Sequence, residues 1–239
     1  RLATAKRGGV TVTRVEIARE GLARPRGRYV TLEMPSVSVL DERDTDVIET
    51  GAAELRALLP PEGPVLVLGI GNRRVTADAL GPRTAQKILV TMGPQHTLPV
   101  RGIRPVAALA PGVSGDTGLT LRQLAAAMVD AVRPAALICV DSLCSAEAAR
   151  LGRTIQFSDT GLHPADARHA RHLDAAALGV PVIAAGIPTL MDADEGADLV
   201  LTPRALDSVI AHGSALLAGI LNRALQPRLS VAQLCWLTG

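Results

Sequence analysis

The stretch Val65-Leu-Val-Leu-Gly-Ile-Gly-Asn72, continued by Arg73-Arg-Val-Thr-Ala-Asp78-Ala-Leu-Gly-Pro82, decides how the rest of this sequence is read. A short apolar run, set off by Pro60-Pro-Glu-Gly-Pro64 before it and glycines after it, suits a strand buried on both faces. Such a strand needs helices above and below its sheet, and the downstream sequence supplies them in alternation. Ala85, Ile88, Leu89 and Met92 recur at helical spacing and predict a helix over Thr84–Met92. Strand-like Val106–Leu109 follows, then a helical stretch over Leu119–Val132. Strands are predicted at Ala136–Val140, Thr154–Phe157 and Pro181–Ala185, and a last helix over Pro203–Leu225. The rhythm predicts an α/β fold, a mostly parallel sheet flanked by helices on both faces with right-handed crossovers.

Upstream of Val65 the pattern differs. Val10–Ile17 and Arg28–Met34 alternate or carry β-formers around a Gly/Pro/Arg-rich link, which reads as an N-terminal antiparallel strand pair. An acidic helix-like stretch follows from Asp44 to Leu59. A single domain over residues 1–239 is expected, with 1–59 as an appendage to its core.

Composition narrows the function classes. With 25 basic and 23 acidic side chains and a net charge of +2, the basic footprint of a dedicated nucleic-acid binder is missing, so no direct nucleic-acid partner is expected. The three aromatics, Tyr29, Phe157 and Trp236, leave almost nothing for base-stacking platforms. The apolar runs are short and the one near Leu216–Leu221 is broken by glycine, so none is expected to span a bilayer. The chain begins Arg1-Leu-Ala-Thr-Ala-Lys6 without an apolar leader, which gives the expectation of an intracellular protein. Cys139, Cys144 and Cys235 lack metal or disulfide spacing and read as buried free thiols.

In an open α/β sheet, loops and helix N-termini converge beyond the carboxyl ends of the strands. Asp78 follows the first buried strand through a glycine turn, and Asp141 follows Ala136–Val140 directly. If those strands are neighbours, two carboxylates meet at one edge. Paired carboxylates share a proton, so one can act as acid while the other activates water. Each aspartate taken singly has a structural alternative, favourable charge at a helix N-terminus or a helix cap.

Other motifs are weaker. Gly69-Ile-Gly71 has Arg74 where a dinucleotide fingerprint needs glycine, and there is no Walker Gly-Lys-Ser/Thr, so no nucleotide cofactor is expected. Asp116-Thr-Gly118 and Asp159-Thr-Gly161 spell the tripeptide of pepsin-like proteases, whose all-β fold this sequence does not match. His163, His169 and His172 crowd one loop with Arg168 and Arg171; without metal-site spacing they read as solvated histidines. No Gly-x-Ser-x-Gly elbow is present.

Several of these segments, in this order, resemble the spore germination protease family. They are Gly69–Asn72 with Val75–Pro82, Ala110-Pro-Gly-Val-Ser-Gly115, Asp141, Thr154–Gly161 with His163-Pro164, Pro181–Thr189 with Met191-Asp-Ala193, and Leu201-Thr-Pro203 with Asp207. Gly27–Pro35 resembles the family's early strand, and the likeness runs from about Val10 to Pro227. It implies an endopeptidase that initiates degradation of small acid-soluble spore proteins during germination, in the spore-core cytoplasm. The family's two critical aspartates match Asp78 and Asp141, with Asn72, Asp159 and Thr160 shaping the cleft. Arg73 and Arg74 are candidates for holding a substrate glutamate, because guanidinium forks suit carboxylates. Zymogen synthesis and a homotetramer are further implications; no cofactor is expected.

The sequence departs from the family in several places: the Gly-rich loop after His163-Pro164 is replaced by Ala165–Arg171, the segment before Leu201-Thr-Pro203 is shorter, and two changes lie beside the aspartates. Arg73-Arg74 replace an aromatic-Asn pair, and Ser142-Leu-Cys-Ser-Ala146 replaces an Ala-Leu-Ala-Ser-Arg run. Two alternatives stay open: a non-catalytic paralogue that binds spore proteins, and a metal-dependent peptidase like the hydrogenase maturation proteases, whose fold is similar and whose comparable positions bind nickel.

Overall fold

The computed structural model describes residues 1–22, 24–93, 102–163, 172–193 and 199–239. Its strands are β1 (Leu2–Arg7), β2 (Val10–Ile17), β3 (Gly27–Glu33), β4 (Val65–Gly69), β5 (Val106–Leu109), β6 (Ala136–Cys144), β7 (Thr154–Ser158), β8 (Val182–Asp192) and β9 (Val200–Leu201). The helices are α1 (Thr45–Leu58), α2 (Leu80–Ala85), α3 (Ser114–Thr117), α4 (Leu121–Val132), α5 (Ala175–Leu178), α6 (Leu206–Leu225) and α7 (Val231–Thr238).

One sheet runs in the order β1-β2-β3-β7-β8-β6-β4-β5, with β9 paired to the far end of β8. The α/β class and the N-terminal antiparallel strands hold, but the sheet is mixed. β8, β6, β4 and β5 are parallel neighbours, whereas β1, β2, β3, β7 and β8 pair antiparallel. The cause lies between β6 and β7. Residues 145–153 hold only a single 3-10 turn, too short for a helical crossover, so β7 runs back antiparallel to β8 and joins the N-terminal strands to the parallel set. Residues 1–59 are therefore integral to the sheet rather than appended to it, and Val12, Leu32, Ile48 and Leu55 share one core with β4, β6 and α6.

The buried run at β4 splits by alternation. Val65 and Val67 face α1, α2 and α6, while Leu66 and Leu68 face α4. On β6, Ile138 and Val140 join the first cluster, and Leu137 and Cys139 the second. Helices cover both faces of the parallel half.

The helix read over 84–92 lies earlier. α2 begins at Leu80, with Pro82 in the first turn, where a missing amide costs no hydrogen bond. Beyond Ile88 the backbone finds other partners: Leu89 N–H donates to Asn222 Oδ1 at 2.9 Å, and Thr91 and Met92 N–H both donate to Val106 O at 3.0 Å. α6 (Leu206–Leu225) is the longest apolar element among the described residues. By length and composition it could cross a bilayer, yet 72% of its apolar window is buried in this fold, as a core helix packed on α1 and α2.

Candidate active site

β4 and β6 are adjacent and parallel, with Gly69 opposite Val140 and the Ile70 N–H donating to Val140 O at 2.8 Å. The condition that the two strands be neighbours is met. β4 stops there, while β6 continues to Cys144 against β8 alone. Asp141 thus lies within a longer strand than the sequence suggested, at the first position β4 no longer flanks. It caps no helix; its Oδ1 accepts a hydrogen bond from the Ser142 N–H at 2.8 Å.

Asp78 ends the 3-10 turn Thr76–Asp78. The N-cap of α2 is Ala79, with no side-chain capping bond, so capping does not account for Asp78 either. Its Oδ2 accepts from the Asn72 N–H at 2.7 Å. Gly71, at φ 122°, makes this approach possible, because a Cβ there would lie 2.0 Å from Asp78 O and 2.9 Å from its Oδ1. From the other side, Thr189 on β8 donates its hydroxyl to Ala77 O at 3.0 Å. The Asp78 turn is tied to the two strands that flank β6, and so it lies across the end of β6. Gly81 seats α2 there: a Cβ on it would come within 2.3 Å of both Ile70 O and Val140 O.

By strand alternation Asp141 continues the row of Leu137 and Cys139, away from α2. That face opens beside α4 and α5 into a cleft of about 470 Å³, lined in part by Tyr29, Thr31, Asp141, Ser142, Gln156 and Ser158. Register places Asp141, Gly186, Gln156 and Thr31 in one row across β6, β8, β7 and β3. Gly186 lets β8 close on Asp141, since a Cβ there would meet Asp141 O at 2.3 Å. Burial, followed by the nearby Asp141 charge, pushes the Cys139 thiol up, so it stays protonated.

The other expected site residues divide. Thr160 lines the cleft, its Oγ1 2.7 Å from Ser158 Oγ. Asn72 serves Asp78 through its backbone, and its Oδ1 accepts from the Arg74 N–H at 2.9 Å. Asp159 is not on the cleft: its two oxygens accept from Arg28 N–H at 2.7 Å and Arg28 Nε at 2.6 Å, and Arg28 in turn donates to Ala57 O on α1. Asp159 and Thr160 form the turn after β7; that turn leaves Thr160 on the cleft and Asp159 on Arg28. Arg73 and Arg74 are exposed on the turn after β4 and do not line the cleft; Arg74 holds Asp116 only loosely, at 3.5 Å.

The sequence reading missed several cleft residues. Arg24 lies 5.5 Å from the Tyr29 ring centroid, and both line the cleft. Gln156 and Thr31 are visible only as polar positions in otherwise apolar strands. His163 and His172 are not simply solvated. His163 Nε2 lies 2.7 Å from Thr160 O, which puts its proton there, and His163 Nδ1 faces His172 Nδ1 at 2.9 Å. His169, Arg168, Arg171 and Pro164 lie outside the described residues. Among the described residues no group of three or more His, Cys, Asp or Glu side chains is placed to hold a metal ion. Of the cysteines only Cys139 is buried; Cys144 is exposed, and Cys235 is half-buried with its thiol donating to Glu42 O at 3.0 Å.

Comparison with known proteins identifies the family. A germination protease family model matches residues 2–195. A germination protease of Clostridium perfringens is 32% identical over 92% of this chain and 86% of its own length. That of Caldanaerobacter subterraneus subsp. tengcongensis is 40% identical over 77% of this chain and 61% of its own length, and that of Bacillus velezensis 37% identical over 86% and 58%. The solved structure of a NiFe hydrogenase maturation protease, HycI from Thermococcus kodakarensis KOD1, overlaps 72% of this chain and 98% of its own at a TM-score of 0.46 and 16% identity, too distant to carry an argument. With four fifths of its length matched and relatives above 30% identity across most of it, this chain belongs to the germination protease family.

Proposed function

We propose that this chain is an endopeptidase of spore germination that initiates the breakdown of small acid-soluble spore proteins, with Asp78 and Asp141 activating the attacking water. Family membership supports the peptidase. The observation that supports the mechanism is the adjacency of β4 and β6, with β4 ending where the Ile70 N–H meets Val140 O, one residue before Asp141. One carboxylate takes a proton from water as its oxygen attacks the scissile carbonyl. The other, protonated, donates to the carbonyl oxygen; collapse then breaks the C–N bond as the leaving amine takes the proton held by the first carboxyl and the re-forming carbonyl returns a proton to the second.

Substrate lies extended in the cleft beside Asp141, over the row of Gln156 and Thr31 and against Thr160. Arg73 and Arg74, exposed between Asn72 and Asp78, hold a substrate glutamate. The same reading makes the protein a homotetramer, synthesised as a zymogen and working in the spore-core cytoplasm. The Ser142–Ala146 departure favours a second reading, a paralogue that binds spore proteins without cutting them. Incubation with a purified small acid-soluble spore protein separates the two: discrete fragments are expected, and binding without fragments contradicts the enzyme. Loss of cleavage with a chelator, restored by added metal, would favour the metal-dependent alternative.

A further inference from the structure

The cleft carries opposite charge at its two ends. His163 apart, Asp141 on β6 and Arg24, just ahead of β3, are the only lining residues whose side chains are charged at neutral pH. β8 and β7 lie between β6 and β3. In the row next to Asp141 on the same face, Cys139, Ala184, Ser158 and Tyr29 stand in register across the four strands. Three strand spacings of about 4.8 Å put Tyr29 roughly 14 Å from β6, a span that an extended peptide covers in about four residues. Arg24 is held at that far end without being neutralised. Its guanidinium carbon lies over the Tyr29 ring, 5.5 Å from the centroid, and the Tyr29 hydroxyl donates to Pro25 O at 2.7 Å, which ties this segment to β3. Arg14 on β2 and Arg28 on β3 hold Glu54 and Asp159, whereas Arg24 has no carboxylate partner among the described residues. A guanidinium over a ring face keeps its edge N–H groups free, and those donors suit a carboxylate in a two-pronged grip.

We propose that Arg24 is a specificity-determining residue: it receives an acidic side chain of the substrate about four residues from the bond at Asp141. This subsite is separate from Arg73 and Arg74, which do not line the cleft. The inference rests on the reading that substrate crosses the cleft from Asp141, and it adds the chemistry selected at the other end. Arg24 is exposed, so solvent screens the pair and the selectivity is modest.

The test is binding of short fluorescein-labelled peptides, read by anisotropy, with amidated C-termini so that only side chains supply carboxylates. The peptides span a cleavage segment of a small acid-soluble spore protein and carry Glu, Gln or Lys at that distance, on one side of the bond or the other. The protein is the full chain with Asp78→Asn, so that bound peptide stays whole, either alone or combined with Arg24→Gln or Arg24→Glu. With Arg24 in place, the Glu peptide is expected to bind roughly three- to tenfold tighter than the Lys peptide for one of the two sides, with Gln between. Arg24→Gln should level the three, and Arg24→Glu should reverse their order, which a merely structural arginine would not do. Peptides that end short of that position should bind all three proteins alike. An unchanged order in Arg24→Glu, a preference that persists in the shortened peptides, or no binding of any peptide overturns the proposal. Cut peptide from the Asp78→Asn protein counts against the aspartate pair instead, and the order at Arg24 is read from initial binding either way.

Discussion

The two halves of the sheet do different work. The parallel half, β8-β6-β4-β5, is covered on both faces and carries Asp141 on β6 and, in the turn that follows β4, Asp78. In the antiparallel half, β3 and β7 bury one face under α1 and α6 and leave the other as the floor of the cleft. On the proposed mechanism one half holds the two carboxylates while the other offers a surface. Their tolerance of change should differ accordingly, because the first depends on close backbone packing and the second mostly on turns and side-chain pairs.

Glycines give the largest contrast. Gly81 has backbone oxygens of both β4 and β6 strand ends within 2.3 Å of a would-be Cβ, so Gly81→Ala must push α2 off the sheet. Denaturant unfolding should show a loss of roughly 3 kcal/mol, with cleavage lost in parallel. Gly9, at φ 75° in the β1–β2 hairpin, has no atom within 4 Å of that position, so Gly9→Ala meets only the left-handed backbone cost of about 1–2 kcal/mol. Equal losses at both sites would erase the distinction.

A moderate effect is expected at Arg14, which reaches from β2 to the buried Glu54 of α1 through paired hydrogen bonds. Removing it leaves a buried carboxylate alone. Since the Arg14 side chain is itself 39% exposed and screened by solvent, Arg14→Ala should cost only about 1–2 kcal/mol, measured by unfolding, and leave kcat unchanged. A collapse of kcat would tie the antiparallel half to the chemistry rather than to the fold.

The smallest effect is one of order. Exposed Cys144, beside the cleft, should react first with a thiol reagent, half-buried Cys235 more slowly, and Cys139 only on unfolding. Burial pushes the thiols of Cys235 and Cys139 up, and a raised thiol pKa keeps the unreactive protonated form to higher pH. Early labelling of Cys139 would mean that the parallel half opens readily.

Much of the parallel half was legible because its strands are short apolar runs between punctuating prolines and glycines, as at Val65–Gly69. β1 was missed although Gly8-Gly9 marks a tight hairpin; its residues Leu2-Ala-Thr-Ala-Lys-Arg7 are mostly exposed and carry little hydrophobic pattern. α7 also had a signal, the Ser230-x-x-Gln233 capping box. The direction of β7 was not legible, because strand composition does not tell parallel from antiparallel when the connecting loop is ambiguous. For the site, motif spacing singled out the aspartates. Gln156 and Thr31 needed strand register, since only pairing shows which side chains of different strands share a face.

The most direct measurement is kcat for cleavage of a small acid-soluble spore protein by Asp78→Asn and Asp141→Asn, each with its unfolding temperature. Both variants should stay folded within a few degrees of wild type and lose roughly 10³-fold or more in kcat. Either one folded and within a few-fold of the wild-type rate would contradict a water activated by the pair.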